Sequence, residues 1–85
     1  MSSIEFRMRW REELEAIAYG RKLVFEMTIA GFQVYFPSEQ RWRDVAPAWA
    51  RPRWREYHDA CMAWCRTQRI PLTLVDDAHV GDEAA

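Results

Sequence analysis

The chain has 85 residues, 12 of them basic and 13 acidic, for a net charge of −1. That length allows one domain, and so small a net charge gives no global electrostatic preference for nucleic acid or for an anionic membrane. A composition that is 49% hydrophobic and 29% charged excludes a disordered chain. No apolar run reaches the ~20 residues that span a bilayer.

A short chain buries a modest fraction of its surface, so its core side chains have to be large. Five Trp, four Phe and three Tyr meet that need without a disulfide, metal or other cofactor. Arg7, Arg9 and Arg11 interrupt each early apolar stretch, so no secretory signal pattern is present. The expected compartment is the cytoplasm, with Cys61 and Cys65 as thiols. The expected organisation is a single domain over residues 1–76 and a flexible acidic tail over 77–85, with little to bury.

Residues 4–10 satisfy two periods. Ile4, Phe6, Met8 and Trp10 alternate with charged residues, as in a strand, while Phe6, Trp10, Leu14 and Ile17 share one helical face. Ser2 and Glu5 have capping-box spacing, and no turn chemistry separates Trp10 from Leu14. These two features predict one helix over Ser3–Tyr19, ended by Gly20 as a left-handed cap. The order of charge, arginines first and glutamates after, opposes the helix dipole.

Residues 22–36 predict a hairpin. A turn at Ala30-Gly31 sets Ile29 against Phe32, Met27 against Val34 and Phe25 against Phe36 on one face. The other face carries Val24, Glu26, Thr28, Gln33 and Tyr35. Pro37-Ser38 then opens a short helix with Trp42, Val45 and Ala46 inward. Pro47 and Pro52 bracket a break, and Pro52 starts a long helix to Gln68. Trp54, Tyr57, Cys61, Trp64 and Gln68 recur on its inner stripe. Pro71 precedes a third strand at Leu72–Val75.

The predicted fold is therefore two-layer α+β in the order α-β-β-α-α-β. Its helices pack on one face of a three-stranded sheet of order 2-1-3. Reading residues 4–10 as a strand turns this into a ferredoxin-like βαββαβ fold.

His58, Cys61 and Cys65 lie within about 60° of one another on the long helix, the one grouping with metal-ligand chemistry. One rigid helix arranges three ligands poorly around zinc, and both thiols read as small core residues with His58 flanking the core. No Gly-rich phosphate loop, shielded carboxylate pair or activated nucleophile is present, so the reading is non-catalytic.

The most unusual stretch runs from residue 41 to 55. Arg41, Arg43, Arg51, Arg53 and Arg55 surround Trp42, Trp49 and Trp54. Trp, Tyr and Arg dominate the energetics of protein interfaces. These arginines, Trp49 as an exposed anchor, and Tyr35 on the outer hairpin face predict a partner-binding surface. The expected function is a small accessory, regulatory or inhibitory subunit that docks on a larger protein. The alternative is a nucleic-acid-binding module using the same arginines. An open sheet edge also allows a homodimer.

Overall fold

The computed structural model describes residues 3–9, 12–28 and 33–85. The first strands are β1 (Glu5–Arg9), β2 (Glu13–Ala18), β3 (Arg21–Thr28) and β4 (Gln33–Pro37). Helix α1 (Glu39–Val45) follows, then a 3₁₀ turn (Arg51–Arg53) and helix α2 (Trp54–Gln68). Strands β5 (Leu72–Val75) and β6 (Gly81–Ala84) complete the chain. The sheet has six strands in the order β1-β2-β3-β4-β5, with β6 also on β3. It is mixed: β4 and β5 run parallel and the other pairs antiparallel.

This corrects the expected α-β-β-α-α-β order and its three-stranded sheet. Residues 3–19 hold two strands instead of a helix, so the ferredoxin-like alternative fails as well. The charge order explains why. Arg7 lies opposite Glu15 and Arg9 opposite Glu13. Arginines before glutamates, unfavourable along one helix, are complementary across an antiparallel pair. The apolar residues agree, with Phe6 opposite Ala16 and Met8 opposite Leu14. The expected cap at Ser2 and the placement of Trp10 lie outside the described residues.

Gly20 caps no helix. Tyr19 (φ 58°) and Gly20 (φ 69°) form the two-residue turn between the paired residues Ala18 and Arg21. Positive φ at both positions gives the twist that joins antiparallel strands tightly. The β3–β4 pairing has the expected register, with Met27 opposite Val34 and Glu26 opposite Tyr35. The expected Ala30-Gly31 turn and the Ile29–Phe32 pair lie outside the described residues.

The β5 strand lies beside β4, where the order 2-1-3 would have set it beside β3. Neither edge of β3 is open to it. One edge carries β2, and the other is shared by β4 near Thr28 and β6 near Arg21. The acidic segment from Asp77 thus enters the sheet, with Leu23 opposite Asp82 and Lys22 opposite Glu83.

Leu14, Ala16, Leu23, Phe25, Val34 and Phe36 are buried and join Trp42, Tyr57, Ala60, Cys61 and Cys65 in one cluster. Trp42 stacks on Phe36 at 5.7 Å and on Phe25 at 6.1 Å. Gln68, read as part of the inner stripe, is exposed. The opposite strand face is ionic. Arg7, Arg9 and Lys22 surround the buried carboxylate of Glu15 at 3.4–3.6 Å, which supplies the counter-charge that burial demands. Arg9 also donates to both carboxylate oxygens of Glu83, at 2.7 and 3.0 Å. It joins β1 to β6 over β2 and β3, so the sheet curls toward this face. That contact holds the Glu83 carboxyl below its ordinary range.

Candidate partner-binding surface

The segment 38–55 is built around one indole. Ser38 caps α1, accepting from the Arg41 amide at 3.2 Å. Trp42, one helical turn in, is fully buried, and its Nε1 donates to the Ala50 carbonyl at 3.0 Å. The Ala50 and Arg51 amides donate to the Pro47 carbonyl at 2.9 and 3.0 Å. These bonds fold the proline-bracketed break back over α1. The start of α2 is thereby set beside the outer side of α1.

A groove of about 350 Å³ results, walled by Glu39, Arg43, Arg51, Pro52, Trp54 and Arg55. The Arg43 side chain is 67% exposed and meets Glu39 only at 3.8 Å. Arg51 donates to the Ala46 carbonyl at 3.2 Å and is exposed. Arg55 is exposed and forms no ion pair among the described residues. Trp54 is fixed as a wall: its Nε1 donates to the Pro37 carbonyl at 2.9 Å, and its ring stacks on His58 at 4.7 Å.

The other predicted residues lie elsewhere. Arg41 donates to the Ala78 carbonyl at 2.9 Å, tying α1 to the β5–β6 connection. Arg53 sits 4.3 Å above the Tyr19 ring and reaches the Tyr19 hydroxyl and Glu56 at 3.1 and 3.2 Å. The Tyr19 hydroxyl donates to Glu56 at 2.5 Å, a bond that raises its pKa. Trp49 is half-buried. Its ring meets Tyr19 and Tyr57 edge-on at 6.4 Å. Tyr19, Arg21, Trp49 and Arg53 line a second cleft of about 400 Å³. Tyr35 is on the ionic strand face, in a third cleft of about 480 Å³ with Glu26, Val75, Asp77 and His79.

The seven predicted residues therefore divide among three clefts and one structural tie. Arg43, Arg51 and Arg55 meet in one groove, and Trp49 and Arg53 in another. Sequence reasoning missed Tyr19 and Arg21, which the β2–β3 turn brings against Trp49 and Arg53. The available signal was Tyr19-Gly20, a turn pair once the flanking residues are read as strands.

Cys61 and Cys65 are buried free thiols. The hydrogen bond to Cys65, together with burial, pushes the Cys61 thiol up. The His58 ring lies between Trp54 and the edge of Phe36, with Nδ1 3.0 Å from Asp59. No grouping of three or more His, Cys, Asp or Glu with metal-holding geometry occurs among the described residues. Among the same residues no helix is long and apolar enough to cross a membrane.

Charge is segregated along the chain. Residues 39–69 hold seven basic and four acidic side chains, and the remainder holds five basic and nine acidic. No family model, curated protein or solved structure matches the chain.

Proposed function

We propose that the chain is a non-catalytic docking domain whose Arg43–Arg51–Arg55 groove takes acidic side chains of a protein partner. The supporting observation is the groove itself: three exposed guanidinium groups beside a fixed indole, in a stretch, residues 39–69, that is net positive. Arginine forks match carboxylates in a way that lysine does not, and a rigid aromatic wall adds contact area with little ordering cost.

Nucleic acid is the weaker reading on two counts. Salt-dependent attachment to a duplex usually rests on roughly 6–10 phosphate contacts, more than three arginines supply. One face of Trp54 is already covered by His58, and Glu39 lines the same groove.

The test is capture of partners from the source cells by wild type and by the R43E plus R55E variant. Circular dichroism checks that both are folded. Reversing two rim charges is expected to lower recovery of a protein partner roughly tenfold, equivalent to ~1.4 kcal/mol. Equal recovery removes the groove from the reading. Capture that disappears after nuclease treatment transfers the groove to nucleic acid.

A further inference from the structure

Among the described residues the sheet ends at β1, which pairs there with β2 alone. One row of its backbone N–H and C=O groups therefore points away from the protein, the arrangement that invites another strand. The side chains of β1 go further and specify which strand.

Glu5 and Arg7 lie on the ionic face, and Phe6 and Met8 on the core-side face. Set a second β1 antiparallel to the first with the two-fold axis at Phe6. Glu5 of each copy then falls opposite Arg7 of the other, so opposite charges meet twice. Phe6 meets Phe6, and Met8 falls opposite Ile4. An axis at Arg7 would set arginine against arginine, and an axis at Glu5 would set glutamate against glutamate. A shift by a single residue would place core-side residues on the ionic face. The Phe6-centred register alone pairs these charges and keeps the faces.

The side chains are free to do this. Glu5 is exposed and has no partner among the described residues. The Arg7 side chain is 60% exposed and meets Glu15 only through Nε, at 3.4 Å. Met8 is 49% exposed, one of three exposed large hydrophobic side chains among the described residues. The opposite sheet edge, β5, is uncharged and has no such complementarity.

We infer that β1 is a self-association edge, and that a second copy of this chain extends the sheet across a two-fold axis at Phe6. Trp64 of α2 packs 6.1 Å from Phe6, so both Trp64 rings flank that axis. A five-residue strand pair is small for an interface, so the dimer is weak, with a dissociation constant on the order of 0.1 mM.

Analytical ultracentrifugation over a concentration series tests the register through E5K and R7E. Each variant alone sets like charges opposite each other twice, and its dimerisation is expected to weaken at least ~10-fold. When the two variants are mixed, the two basic side chains of the E5K edge fall opposite the two acidic side chains of the R7E edge. The mixture is therefore expected to form a heterodimer near wild-type strength. A wild type that stays monomeric to about 1 mM overturns the inference. So does a dimer that tolerates either single variant, or a mixture that does not associate.

Discussion

Replacing Trp42 by Phe tests how the Arg43–Arg51–Arg55 groove is built. The indole is fully buried, stacks on Phe25 and Phe36, and donates to the Ala50 carbonyl. Phenylalanine preserves most of the stacking but removes the donor. The lost hydrogen bond costs about 1 kcal/mol, and the Ala50 carbonyl is left buried without its partner. The smaller ring leaves a void worth roughly 1 kcal/mol more. The expected loss is therefore ~2–3 kcal/mol, against roughly 3–5 kcal/mol for Trp42→Ala. For a domain of this size each kcal/mol lowers Tm by roughly 4–8 °C. Urea denaturation followed by circular dichroism measures the loss directly. A Trp42→Phe loss below about 0.5 kcal/mol would refute the claim that this indole fastens the 47–50 segment over α1, since the hydrogen bond alone exceeds it.

The Tyr57 hydroxyl is buried with no hydrogen-bond partner among the described residues, and burial raises its pKa to about 12. Tyr57→Phe is therefore expected to leave Tm unchanged or raise it, because an unsatisfied buried hydroxyl is lost. The unfolded phenol ionises near its ordinary value of 10.0 while the folded one stays protonated, so wild-type stability declines as pH rises from there toward about 12. Tyr57→Phe should flatten part of that decline in an alkaline melting series. The Glu83 carboxyl is held low by Arg9, so its contribution is complete above the ordinary value of 4.5 and fades as pH falls through the lower folded value. Hydrogen exchange at residues 81–84 should accelerate in that acid range, and an E83Q variant should show less of this acceleration. Both cysteine thiols should react with a thiol reagent only after denaturation, and fast labelling of either in the folded protein contradicts their burial.

The long helix and the β3–β4 hairpin were legible because their patterns admit one period each. Trp54, Tyr57, Cys61 and Trp64 recur at helical spacing, while Phe25 and Met27 alternate with Glu26 and Thr28. The first twenty residues satisfy both periods, since Phe6, Leu14 and Ile17 lie on one helical face and also fit two strands. The residues between Arg9 and Glu13 hide the break, because Trp10-Arg11-Glu12 has none of the Gly, Pro, Asn or Asp that announces a turn. Charge order was the better signal. Arg7-Arg9 followed by Glu13-Glu15 opposes a helix dipole and suits a hairpin.

The arginine run was legible as a run, but its division was not. Whether Arg53 faces the groove or Tyr19 depends on where the β2–β3 turn lies, a tertiary fact with no local sequence signature. Trp49 had no inward stripe because it belongs to no helix. It packs against Tyr57 and against Tyr19, the latter distant in the chain.

The proposed docking role of the groove is tested most directly by titrating a glutamate-rich peptide into isotopically labelled protein and following side-chain resonances by NMR. The Arg43, Arg51 and Arg55 guanidinium signals and the Trp54 indole N–H are expected to move together, with shifts that shrink as salt is added. Shifts confined to the Arg7–Arg9–Lys22 face, or no shifts at millimolar peptide, would contradict the groove as the docking site.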